Sequence, residues 1–216
     1  MDVVKLRLSV AFLTLMGIFV LANCNTEDVE VPLPVESKLS TQEVNMQWPT
    51  QPAMGIDPAK EYSAVLQTSK GEVHIDLFAS EVPVTANNFV FLAREGYYDG
   101  VPVHRIVVGF MIQTGDPTGT GRGDPGYKFD DEPVTRDYLR GIVAMANSGP
   151  NTNGSQFFIM HQNYQLPKSY TIFGMVSKGL DVVDAIANTP VTHGPSGEPS
   201  KPLEEVVIIS ATINES

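Results

Sequence analysis

The 216-residue sequence has a single cysteine, Cys24. One thiol excludes an intrachain disulfide, so cysteine pairing says nothing about compartment. Basic residues are scarce, with 14 Lys and Arg against 25 Asp and Glu and a formal charge of −11. Binding to phosphate backbones needs cationic side chains that displace counterions, which sets nucleic acid aside as a partner. The same balance disfavours adhesion to anionic membranes by charge alone. His74, His104, His161 and His193 are scattered, with no i, i+4 pair and no cysteine beside them, so no metal site is expected. No G-x-S-x-G occurs, and no Ser, His and Asp order suggests hydrolysis. Gly121 to Gly126 formally fits G-x-G-x-x-G, but Pro125 sits inside it and Tyr127-Lys128-Phe129 follows. A dinucleotide site needs a strand before that motif and a helix after it, so this is a turn-rich loop. Nothing here calls for a cofactor. What is present, 42% hydrophobic and 18% charged residues, is enough to build a globular core.

The N-terminus opens with Lys5 and Arg7, then runs uncharged from Leu8 to Ala22. That run is short of the roughly 20 residues of a membrane span and fits a signal peptide; an uncleaved signal anchor is the alternative. It ends in Leu21-Ala22-Asn23-Cys24, which resembles the bacterial lipobox, although Asn23 stands where Gly or Ala is usual. The resemblance implies cleavage after residue 23, acylation of Cys24, and a domain held outside the cytoplasm on the cell envelope. Two or three acyl chains anchor stably, since each buried CH₂ contributes about 0.8 kcal/mol. Residues 24–60 are rich in acidic and polar residues, and Pro32, Pro34, Pro49, Pro52 and Pro58 break any long helix. This stretch reads as a tether, spanning about 30–35 Å if flexible, with Trp48 docking its last part onto a domain of residues 61–216.

Within that domain, Tyr62 to Gln67 and Glu72 to Phe78 read as strands joined by a turn at Thr68 to Gly71. Val73, Ile75 and Leu77 alternate with Glu72, His74 and Asp76, the mark of a half-buried hairpin. Val84 to Glu95 follows Pro83 and precedes Gly96, predicting a helix with Phe89, Leu92 and Ala93 inward. Leu180 to Ala187 predicts a second helix, and Val206 to Ile213 a closing strand. Many short strands with two helices suggest a closed or nearly closed antiparallel barrel with helices over its ends.

Two further stretches are specific. Val103-His104-Arg105-Ile106-Val107-Val108-Gly109-Phe110-Met111-Ile112-Gln113-Thr114-Gly115-Asp116 comes first, and Gly141-Ile142-Val143-Ala144-Met145-Ala146-Asn147 continuing to Gln156-Phe157-Phe158-Ile159 comes second. Together they resemble the cyclophilin signature. Pro83 to Phe89, Gly126 to Phe129 and Thr171 to Gly174 support it, so the resemblance spans about residues 61–213. It implies a mainly β fold, an eight-stranded closed antiparallel barrel capped by two α-helices, and peptidyl-prolyl cis-trans isomerase activity by a monomer on proline-containing polypeptides.

By the same resemblance Arg105 is the catalytic donor. Phe110, Met111, Phe158 and Leu166 line the proline slot, and Gln113, Asn147 and Gln156 bind the peptide backbone and help set Arg105. Ala146 sits where small size matters. Each apolar residue, taken alone, is more often plain core. Gln165 replaces an aromatic residue, frequently Trp in eukaryotic members, which implies weak cyclosporin binding with catalysis largely retained. Tyr170 replaces His and still offers a ring. The function implied is assistance to protein folding in the envelope; a proline-segment binding module or a holdase with incidental catalysis are the alternatives.

Overall fold

The computed structural model describes residues 46–216, all within one unit, Val44–Ser216. The stretch expected to be an export signal, 1–23, with Cys24 and the expected tether up to residue 45, lies outside the described residues. The hairpin forms where alternation placed it, as β1 (Tyr62–Thr68) and β2 (Gly71–Leu77), with Ala64, Leu66, Val73, Ile75 and Leu77 buried on one face. Helix α1 (Pro83–Arg94) starts on Pro83, whose missing N–H costs nothing in a first turn. It ends at Glu95, and Gly96 follows in the left-handed region. Its N-terminus has no cap of its own. Glu132 supplies one from across the fold, accepting from Val84 N at 3.1 Å and Thr85 N at 2.7 Å.

The remaining strands are β3 (Val101–Pro102), β4 (Arg105–Val107), β5 (Met111–Thr114), β6 (Ile142–Met145), β7 (Phe157–Met160), β8 (Ile172–Lys178), β9 (Val191–His193), β10 (Pro199–Pro202) and β11 (Val207–Glu215). Helix α2 (Leu180–Ala187) lies between β8 and β9. Nine strands form one antiparallel sheet in the order β3-β11-β1-β2-β8-β6-β7-β5-β4, while β9 and β10 pair apart as a hairpin. The closed eight-stranded barrel expected above is corrected here to a curled half-barrel of nine strands. The edge strands β3 and β4 are separated only by Val103 and His104, yet no ladder joins them. The reason lies in those two residues. Val103 N donates to Val206 O at 2.8 Å and His104 N to Gln113 O at 3.2 Å, so they bond to opposite neighbours and divide one run into two edges.

Both faces of the sheet are covered in its β5–β7 part. On the inner face Phe89 of α1 packs on Tyr98, Phe157 and Phe173, with ring centroids 5.1 to 5.4 Å apart, and Val183 and Ile186 of α2 join the same core. On the outer face Met111, Ala144, Phe158 and Met160 form a second cluster with Tyr138, Ile142 and Ile172.

The expected tether meets packed chain well before residue 60. Ile56 is buried in the main core, and Trp48 stacks edge-on to Phe91 at 5.2 Å while its N–H bonds Pro125 O. Asn87 ties the segment to α1 by accepting from Gly55 N and donating to Ala53 O. No helix among the described residues is long and apolar enough to cross a membrane.

Candidate active site

The register of β4, β5, β7 and β6 lines up one row of side chains. Arg105 lies opposite Gln113, Gln113 opposite Phe158, and Phe158 opposite Ala144. Residues opposite one another share a face, so the row crosses the outer face from a cation at the edge strand to an apolar centre. Val107, Met111 and Met160 make the next row on that face by the same pairing. Arg105 therefore stands beside an apolar patch, on the same face of the sheet.

Phe110 sits in the β4–β5 turn, packs against this patch, and meets the Tyr164 ring at a tilt of 41° with centroids 4.6 Å apart. Leu166 and Tyr170 come from the loop before β8, and the Tyr170 ring meets Phe158 edge-on at 5.7 Å. Tyr138 fastens that loop. Its hydroxyl donates to Tyr170 O at 2.9 Å and accepts from Tyr170 N at 3.1 Å. Gln165 is exposed beside Leu166.

The polar members form a directed chain. Arg105 Nη1 donates to Gln113 Oε1 at 3.2 Å, Gln113 Nε2 to Gln156 Oε1 at 3.0 Å, and Gln156 Nε2 to Gly123 O at 3.0 Å. A guanidinium only donates and a carbonyl only accepts, so both amide orientations are fixed from the ends. Ala146 N bonds Gln156 O, which places Ala146 beside this chain. A cavity of about 90 Å³ opens there, lined by Gln113, Gly123, Ala146, Asn147 and Gln156. Asn147 is the one expected polar residue outside the Arg105 network, since its amide donates to Ser169 O at 2.8 Å.

The loop behind Gly123 is built on Asp116, fully buried at the end of β5. Its Oδ1 accepts from Thr118 N and Oγ1, and its Oδ2 from Gly121 N at 2.7 Å and Arg122 N at 3.1 Å. Burial pushes this carboxyl up, but hydrogen bonds from Thr118, Gly123 and Gly121 more than offset it and hold the acid below its ordinary range. A Cβ on Gly123 would fall 2.0 Å from Asp116 Oδ1, so only glycine fits that position. The G-x-G-x-x-G stretch is thus a loop wrapped around a carboxylate. His104 lies half-buried beside Arg105, and loss of solvent around its ring lowers its pKa and favours the neutral form. Among the described residues no three His, Cys, Asp or Glu side chains gather as a metal site.

One contact escaped sequence reasoning. Glu198, at the turn into β10, pairs with Arg105 through Oε2 to Nε at 2.9 Å and Oε1 to Nη2 at 3.1 Å. The only signal was an acidic residue in a Gly- and Pro-rich stretch, which points nowhere in particular. The Arg105 guanidinium holds the Glu198 carboxyl below the usual carboxylate range.

Known proteins resemble this chain over most of the described residues. A model of the family "Cyclophilin type peptidyl-prolyl cis-trans isomerase/CLD" matches residues 63–213. The human peptidyl-prolyl cis-trans isomerase-like 3 is 44% identical over 158 residues, covering 70% of this chain and 96% of the relative. The probable peptidyl-prolyl cis-trans isomerase B of Mycobacterium tuberculosis is 36% identical over 212 residues, covering 85% of this chain and 68% of that protein. A solved cyclophilin type isomerase of Cryptosporidium parvum superposes with a TM-score of 0.66 at 36% identity, covering 72% of this chain and 99% of its own. The same protein was solved in the presence of the dipeptide Ala-Pro, and there the TM-score is also 0.66. With relatives that cover nearly their whole length on residues this chain shares, and with a family match across the half-barrel, the chain belongs to the cyclophilin type peptidyl-prolyl cis-trans isomerases.

Proposed function

We propose that Arg105 catalyses rotation about the X–Pro bond of polypeptides seated on the outer face of β4, β5 and β7, and that this chain does so on the cell envelope, assisting the folding of exported proteins. The barrier to rotation is amide resonance, about 18–20 kcal/mol. Twisting the bond returns a lone pair to the proline nitrogen and takes conjugation from the carbonyl. A donor held beside the bond therefore stabilises the twisted amide more than either planar form, which is what lowers the barrier. Arginine suits the task because its guanidinium stays charged and planar. The apolar patch of Phe110, Met111, Phe158 and Leu166 takes the proline ring, with Tyr170 at its border. Gln113 and Gln156 hold the peptide backbone, so one side of the bond is fixed while the other turns. No proton leaves and no nucleophile attacks, so the chemistry asks for no cofactor.

The observation that carries this reading is the register row that sets Arg105 and Gln113 beside Phe158. The neighbour solved with Ala-Pro supports a proline-containing ligand. A proline-binding module without turnover would not need the guanidinium, so exchange rates of a proline peptide on wild type and Arg105→Ala separate the two. The envelope location rests on the N-terminal pattern ending in Cys24. Labelling with a fatty acid tests it: wild type incorporates label and Cys24→Ala does not, whereas equal labelling contradicts acylation at Cys24.

A further inference from the structure

We propose that Glu198 is a positioning residue for Arg105, holding the guanidinium by its Nε–Nη2 edge so that its far end is presented to the proline slot. The inference rests on Arg105 being the catalytic donor. A guanidinium carries five N–H groups in one plane. Glu198 takes Nε–H and one on Nη2, and Gln113 takes one on Nη1. Nη1 turns its other N–H toward Met111 Sδ at 4.0 Å, which leaves one N–H, on Nη2, without a partner among the described residues. Met111 belongs to the apolar patch, so the end left unpaired by Glu198 is the one turned toward the slot.

The placement of Glu198 is itself built. Gly194 N donates to Glu198 O at 2.8 Å and Gly197 N to Gly194 O at 3.0 Å, closing a tight turn in which Gly197 takes φ +81°. The buried Ser200 hydroxyl also donates to Glu198 O. The turn thus fixes the carboxylate's backbone from two sides, and β9 and β10 carry it to the edge strand β4. Stability does not explain the pair. Both side chains are 35% exposed, and ion pairs at such exposure contribute little to folding. Arginine loses rotamer freedom when it is held, so an enzyme gains when that ordering precedes substrate binding. Two fixed points, Glu198 on one edge and Gln113 on the other, define the plane of the guanidinium.

The test uses the purified full-length chain and NMR exchange on an Ala-Pro peptide, with wild type, Glu198→Ala, Glu198→Gln and Arg105→Ala. Glu198→Ala should lower kcat/KM about tenfold, mostly in kcat, because orientation rather than binding is lost. Glu198→Gln, which keeps one acceptor but no charge, should fall between it and wild type. The Arg105 Nε–H resonance should be distinct and slow to exchange in wild type and lost to rapid exchange in Glu198→Ala. Unchanged or raised kcat/KM in Glu198→Ala, with Arg105→Ala inactive, overturns the positioning role alone; a rise would mean that the carboxylate competes with substrate. Wild-type activity in Arg105→Ala overturns the catalytic assignment beneath it.

Discussion

Strand β7 serves two different regions with alternate residues. Phe157 and Ile159 face the main core under the two helices, while Phe158 and Met160 face the second cluster on the outer surface. Both sets are buried, yet the regions differ in what borders them. The inner one is closed by apolar and aromatic side chains from α1, α2 and β8. The outer one runs into Arg105, Gln113 and Gln156 and is bordered by the half-buried Phe110, Leu166 and Tyr170. The strand period of two gives one face to the helix-covered core and the other to the proposed site.

That division can be broken in order of expected effect. Phe157→Ala should cost about 3–5 kcal/mol of unfolding free energy in a denaturant titration, while the folded fraction keeps near-normal kcat/KM. Phe158→Ala should sit at the low end of that range, about 3 kcal/mol, and lower kcat/KM by about 10–100-fold; equal kinetic profiles for the two variants would erase the distinction. Glu132→Ala removes the borrowed cap of α1 and should cost about 1–2 kcal/mol with kinetics unmoved. Asp116 sharpens the comparison through pH. Its folded pKa lies below the unfolded value, so its contribution is fully present above about pH 4 and is lost as pH falls through the folded pKa. Wild-type stability should therefore drop in that acid window with a slope of up to about 1.4 kcal/mol per pH unit that Asp116→Asn lacks. Smallest is Gln165→Trp, which should tighten cyclosporin by several-fold, in line with about 1 kcal/mol for an added aromatic contact, and leave isomerisation unchanged.

Much of this was legible in the sequence because local rules and the fold agree there. The alternation from Glu72 to Leu77 set the hairpin, and Pro83 and Gly96 marked the ends of α1. Arg105, Gln113 and Phe158 came as a set because their motif is long. Other features depend on partners far along the chain. The run Phe157-Phe158-Ile159-Met160 is apolar throughout, so its two faces cannot be told apart before its neighbours are placed. Whether the sheet closes turns on which way the N–H groups of Val103 and His104 point. Residues 46–60 read as tether because their prolines and polar residues outnumber the three side chains, Met46, Trp48 and Ile56, that pack on the core. Glu198 meets Arg105 from 93 residues away, beyond the reach of any local pattern.

The central claim is that a guanidinium beside an apolar slot performs the rotation. Exchange of an Ala-Pro peptide, measured by NMR on wild type and Arg105→Ala at matched folded concentration, tests it most directly. The account predicts a fall in kcat/KM of about 10²–10³-fold, the cost of removing a transition-state donor, with thermal unfolding unchanged. Wild-type exchange rates in Arg105→Ala would contradict it.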